Sequence, residues 1–207
     1  MNQPSRAGAV ARAGAHFDSG RFLEILARRV AIPNESHNPA AAPYQRAYLE
    51  SEMATAAVAL GCTWRIDDNP VDGGNPFLVA ERIEDASRPT VLIYGHGDTV
   101  GAQAGQWRAG LAPWTLVQEG ERIYGRGTAD NKGQHSINLA AVEQVLAERG
   151  RLGFNLKLLI ETGEEIGSRG LREYAALNRE RLAATVLIAS DGPRLKPERP
   201  TIYLGSR

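Results

Sequence analysis

Three observations predict an α/β fold, a three-layer sandwich around a largely parallel central sheet. The sequence holds three compact apolar runs, Thr90–Tyr94 (TVLIY), Leu156–Ile160 (LKLLI) and Thr185–Ala189 (TVLIA), as expected of strands buried on both faces. Segments of helical periodicity separate them, and strand, helix, strand, helix, strand implies parallel pairing. Each run also ends in a loop of glycine and ligand-type residues: Gly95-His96-Gly97-Asp98, Glu161-Thr162-Gly163-Glu164-Glu165 and Ser190-Asp191-Gly192. Open α/β sheets bind ligands at the carboxyl ends of their strands.

The remaining elements follow in order. Residues 1–15 are rich in Ala, Gly and Arg and carry no acid; a transit peptide can look like this, but the reading preferred is a disordered tail. Ser19 is placed to cap a helix with Phe22, Leu23, Ile25, Leu26 and Val30 on one face, ended by Pro33. A second helix spans 44–60 and stops at Gly61. Short strands at 64–66 and 77–80 flank a turn-rich stretch. Between the first two apolar runs, a helix over 133–149 turns Ile137, Ala140, Ala141, Val145 and Leu146 inward and ends at Gly150. Between the second and third, a helix over 168–181 buries Leu171, Tyr174, Ala175 and Leu177. Residues 195–200 form a charged, proline-rich linker, and 201–204 open a further strand.

Composition narrows the function. The 207 residues contain 24 Lys+Arg and 24 Asp+Glu, so net charge gives no argument for a nucleic-acid partner. No apolar run approaches the ~18 residues of a membrane span. The single cysteine, Cys62, cannot form an internal disulfide, so the fold needs no oxidising compartment, and a cytoplasmic location is expected.

Three neighbouring strands thus bring one imidazole and several carboxylates to one sheet edge. Asp130, in the Gly-rich segment 125–133 (GRGTADNKG), adds another at the start of the intervening helix. Each feature alone has a plainer explanation: a histidine after a strand is usually structural, and Glu164-Glu165 is usually a solvated pair. Together they would repel, and a bound dication relieves that cost. One imidazole plus oxygens, without thiolate, suits a catalytic Zn²⁺ site, or Mn²⁺ or Co²⁺. Two ions ~3.5–4 Å apart become possible if a carboxylate bridges. The Gly-rich segment lacks the G-x-x-x-x-G-K-[ST] pattern of a phosphate-binding loop.

At these residues the chain resembles the dinuclear zinc amidohydrolases and exopeptidases that include acetylornithine deacetylase, succinyl-diaminopimelate desuccinylase, glutamate carboxypeptidases and carnosine-type dipeptidases. The resemblance runs from about Phe22 to Arg207. It rests on His96-Gly97-Asp98-Thr99-Val100, on Gly125-Arg126-Gly127 through Asp130-Asn131-Lys132-Gly133, on Gly163 through Ser168, and on Ser190-Asp191-Gly192. It implies a zinc-exopeptidase-like fold and two Zn²⁺ ions. His96 and Asp191 would bind one, Glu165 the other, and Asp130 would bridge them across a cis Asp130–Asn131 peptide. Asp98 would fix the His96 tautomer, and Glu164 would be the general base. The implied reaction is hydrolysis of an amide bond, in a dipeptide, a C-terminal amino acid or an N-acyl amino acid, by a metal-bound water.

The resemblance also implies an incomplete chain. Family members run to about twice this length and add a lid or dimerisation domain and a last histidine ligand. The expected division is therefore a tail over 1–15, the N-terminal part of a catalytic domain over 16–194, and a linker with the first lid strand over 195–207. Reduced or absent activity is expected of this part alone, and a homodimer belongs to the full-length form. A non-catalytic remnant that binds metal weakly is the alternative. His16 and His37 do not match the missing ligand, nor does His135, which is read as structural or exposed. Lys132 is expected to balance charge beside Asp130. Trp107 and Trp114 wall the cleft or, more simply, pack in the core.

Overall fold

A computed structural model describes residues 4–192 together with 195, 196, 198, 199, 201 and 202. The expected linker and opening lid strand fall mostly outside these residues, and 201–202 carry no strand.

The expected tail is helical. Helix α1 spans Arg6–Asp18, with the Ser5 hydroxyl accepting the Gly8 N–H at 3.0 Å. No residue of α1 is buried. It is tied to a later helix by Arg12, whose Nε donates to Glu148 at 2.8 Å. A polar, Ala-rich segment thus finds order through a cap and an ion pair rather than through a core. Helix α2, Arg21–Val30, is entered through Gly20 at φ 79°. Ser19 does not cap it: that residue closes α1, its hydroxyl donating to the His16 carbonyl.

The second expected helix starts slightly earlier than the sequence suggests. It runs as α3 (Ala42–Tyr48), a π-helical stretch over Leu49–Met53 and α4 (Ala54–Ala59), and Gly61 follows at φ 69°. Strands β1 (Thr63–Asp67), β2 (Phe77–Arg82) and β3 (Thr90–His96) come next, then a hairpin of β4 (Val117–Glu119) and β5 (Arg122–Tyr124). Helix α5 (Lys132–Arg149) ends on Gly150 at φ 68°. Strand β6 (Asn155–Glu161), helices α6 (Leu171–Leu177) and α7 (Arg179–Leu182), and strand β7 (Val186–Ala189) complete the order. The break at Asn178 divides the single helix expected there.

The main sheet has the order β1-β2-β6-β3-β7. β6, β3 and β7 are parallel, β2 runs antiparallel to β6, and β1 runs antiparallel to β2. The sheet is therefore mixed, with the parallel trio at the site: β1 and β2 are joined by a loop, and only the helical crossovers return the chain in the same direction. Alternation along the strands feeds two cores. Leu78, Ala80, Ile93, Leu156, Leu158 and Ile160 pack with Tyr48, Met53, Leu139 and Val142 from α3, the π stretch and α5. On the other face Phe77, Val79, Leu92 and Leu159 meet Tyr174 of α6, whose ring stacks on Phe77 at 4.3 Å.

Three packing expectations need correction. β7 is exposed along its length, Leu187 at 62%, because it pairs only with β3 among the described residues. In α5 the buried apolar positions are Leu139 and Val142, while Ile137 is exposed; the first two turns bury Lys132, His135 and Ser136 instead. In α6 Leu177 is exposed, while Tyr174 and Leu171 pack inward as expected. No helix among the described residues is long and apolar enough to cross a membrane.

Cys62 lies in the first core, and burial pushes its thiol up to about 11. The thiolate is the reactive form. Alkylation by iodoacetamide at pH 8 should therefore run about two orders of magnitude slower in the native protein than in urea, rising about tenfold per pH unit; equal rates would contradict this burial.

Candidate metal centre

The parallel trio ends at one edge, and that edge carries the acids. His96 is the last residue of β3 and is fully buried. Its Nε2 lies 3.0 Å from Asp130 Oδ1, 3.4 Å from Asp191 Oδ2 and 3.7 Å from Glu164 Oε2. Two donor triplets have ligand atoms within 4.8 Å of one another: His96, Asp130 and Glu165, and His96, Glu164 and Asp191. All the residues expected at the centre are thus brought together. The grouping differs from the implied one in that His96, not Asp130, is common to both triplets, and Glu164 offers an oxygen to one of them.

Asp98 is the hub of the buried side. Its Oδ1 is 3.3 Å from His96 Nδ1, and its two oxygens accept the backbone N–H groups of Glu164 and Glu165, each at 3.2 Å. One carboxylate therefore orients both the imidazole and the loop that carries the paired glutamates, the arrangement by which a neighbouring acid tunes a ligating histidine. Asn34 braces the same turn from outside, its amide donating to the Gly97 carbonyl at 2.8 Å.

Electrostatics follow from this crowding. Burial disfavours the His96 imidazolium, but Asp130, Asp191 and Asp98 outweigh it and lift the ring to about 12. Burial raises Glu164, with His96 opposing and Asp191, Asp98 and Asp130 adding to the rise. Burial raises Glu165 as well, reinforced by Asp130. The hydrogen bond to His96 holds Asp191 below the usual carboxylate range. One imidazole amid four carboxylates, two of them glutamates whose ionisation is disfavoured, is a donor set that fits a divalent cation.

Several neighbours were not resolved by sequence reasoning. Glu161 is one of the clustered acids but belongs to β6, where it is buried and accepts the Tyr94 and Ser168 hydroxyls at 2.5 and 2.8 Å. It braces the 163–168 turn and contributes to neither donor triplet. Lys132 does more than balance charge: buried, it donates to the Arg29 and Ile32 carbonyls at 2.9 and 2.8 Å, tying the end of α2 to the Asp130 loop. Burial lowers its ammonium to about 7 against the pull of Asp98 and Glu52. His135 is fully buried, not exposed. Trp107 is half-buried, its indole donating to the Ala102 carbonyl, and Trp114 lies 5.7 Å from Lys132 Nζ. The Asp130–Asn131 peptide is cis.

A mixed α/β sheet with an imidazole and carboxylates gathered at the ends of its parallel strands defines the class. Residues 92–203 match the model of peptidase family M20/M25/M40, and the chain belongs to that family. A beta-Ala-His dipeptidase of Mus musculus is 32% identical over 203 residues, 90% of this chain and 40% of the relative. The crystal structure of human carnosine dipeptidase 1 superposes with a TM-score of 0.75 at 29% identity, over 92% of this chain and 42% of that one. An M20 family metallo-carboxypeptidase of Sulfolobus solfataricus gives 0.70 at 31% identity, over 86% and 38%. The chain thus spans about two fifths of the length of the curated relative it matches.

Proposed function

We propose that this chain carries the metal-binding half of a peptidase site that hydrolyses the amide bond of a dipeptide, with N-acyl amino acids as the second substrate class. The observation that carries the reading is the position of His96 Nε2 within 3.0–3.7 Å of three carboxylates on separate segments. His96, Asp130, Glu165 and Asp191 would hold the cations, with two Zn²⁺ the preferred loading and Co²⁺ or Mn²⁺ substitutes. Bound there, the dications supply Lewis acidity that makes a water more acidic and polarises a carbonyl oxygen. Asp98 keeps the His96 ring oriented. Glu164 accepts the proton of the attacking water and returns it to the leaving amine; its raised pKa suits both halves of that transfer. A relative that is a beta-Ala-His dipeptidase favours a small peptide substrate. The lone cysteine, which needs no oxidising compartment, supports a cytoplasmic setting.

The test is metal uptake followed by hydrolysis. Calorimetry with Zn²⁺ should show saturable binding that His96→Ala weakens at least ~100-fold, since the variant loses the donor common to both triplets. β-Alanyl-histidine and N-acetyl amino acids, offered to the Zn²⁺-loaded protein, should show the slow release of free amino acid expected of this part alone, and a chelator should stop it. Binding without hydrolysis of either class would point to the non-catalytic alternative. Absence of binding would remove the metal reading.

A further inference from the structure

A buried polar chain runs behind the site and plays no part in the chemistry above. Tyr48, His135 and Asn131 are 0%, 0% and 1% exposed. Asn131 Oδ1 accepts the backbone N–H of His96 at 3.2 Å and lies 3.1 Å from His135 Nδ1. An amide oxygen only accepts, so Nδ1 carries the ring proton. The bare Nε2 then accepts the Tyr48 hydroxyl at 2.6 Å. The Asn131 amide donates to Gln134 Oε1 at 2.7 Å. One side chain therefore touches the end of β3 and the first turn of α5, and its peptide nitrogen is bonded to Asp130.

The backbone around His96 is shaped to receive this chain. A Cβ on Gly95 would lie 2.8 Å from His135 Cβ and 2.9 Å from Asn131 Oδ1, and one on Gly97 would lie 2.5 Å from the Tyr48 ring. The histidine is flanked by two glycines, and the chain packs on both. Apolar side chains would fill the same space without the need to satisfy buried polar atoms.

We propose that Asn131, steadied by His135 and Tyr48, is a positioning residue that sets the spacing of His96 and Asp130 for a divalent cation; the inference rests on the metal reading above. Neighbours of metal ligands typically change affinity ~10–100-fold when removed.

The experiment is Zn²⁺ calorimetry and the visible spectrum of the Co²⁺-loaded protein for wild type, Asn131→Ala, Tyr48→Phe and the double variant, with thermal melts of each in chelator. Asn131→Ala should weaken Zn²⁺ ~10–100-fold and alter the Co²⁺ bands. Tyr48→Phe should give a smaller loss in the same direction. Because Tyr48 acts through Asn131, the double variant should bind no more weakly than Asn131→Ala alone. The positioning role is overturned if the variants melt lower yet keep wild-type affinity and spectrum, or if the two losses multiply. Tyr48→Phe preserves the ring and decides the matter even where Asn131→Ala fails to fold. A wild type that takes up neither ion overturns the metal reading itself, a result distinct from wild-type binding that the variants leave untouched.

Discussion

Glu164→Gln in the Zn²⁺-loaded protein is expected to lower peptide turnover by ~10²–10⁴-fold, the usual contribution of a positioned acid–base group. The substitution keeps the side chain's size and removes its ability to accept a proton. The Glu164 N–H to Asp98 contact is made by the backbone and survives the change. Zn²⁺ affinity should stay within about tenfold of wild type if the residue serves as a base. Glu165→Gln is the counterpart: it replaces a charged carboxylate of the triplet with His96 and Asp130 by a neutral amide oxygen, so affinity should fall first and turnover with it. The comparison matters because Glu164 also offers an oxygen to a donor triplet. Equal affinity losses in the two variants would make Glu164 a ligand, and undiminished turnover in Glu164→Gln would refute the base role.

The division between what the sequence shows and what it hides follows the range of the signals. β3 and β6 are visible because their apolar runs are local, and the loops after them because glycine, histidine and paired acids cluster there. β7 shows the limit. Thr185–Ala189 differs from Thr90–Tyr94 in one letter, yet β3 lies between two strands and β7 beside one. Burial of a strand is decided by neighbours, which composition does not record. The acids show a finer limit. Glu161, Glu164 and Glu165 form one cluster in sequence, but Glu161 is still within the ladder, paired with His96, and only the two beyond the strand reach the donor triplets. Helix α5 departs from its expected face for a related reason, although Val145 and Leu146 do pack against the core as expected. Its first turns turn polar Lys132, His135 and Ser136 inward to meet the site, so the apolar stripe begins only at Leu139. His135 is a lone histidine in sequence; its partners, Tyr48 and Asn131, lie 87 and 4 residues away, and that long separation carries no pattern.

The strongest demand on stability falls on Gly133. Gly133→Ala is expected to destabilise the fold by ~3 kcal/mol or more, at the top of the range for overpacking. A Cβ there would stand 1.8 Å from the Thr128 carbonyl oxygen and 2.8 Å from its carbon. Both are backbone atoms, so no side chain can rotate away. The residue's own backbone is ordinary helix at the start of α5, so the cost is steric and not one of conformation. Relief requires the 128–130 segment to lift off the helix, and that segment carries Asp130 into the His96 cluster. Stability and cation affinity should therefore fall together, read by urea denaturation in chelator and by Zn²⁺ calorimetry on the folded protein. Gly14, inside α1, has no heavy atom within 4 Å of a built Cβ. There Gly14→Ala should be neutral or stabilising by up to ~1 kcal/mol, through helix propensity alone. A Gly133→Ala protein as stable as wild type would mean that the first turn of α5 does not rest on Thr128, and the path by which the Gly-rich segment delivers Asp130 to the site would have to be redrawn.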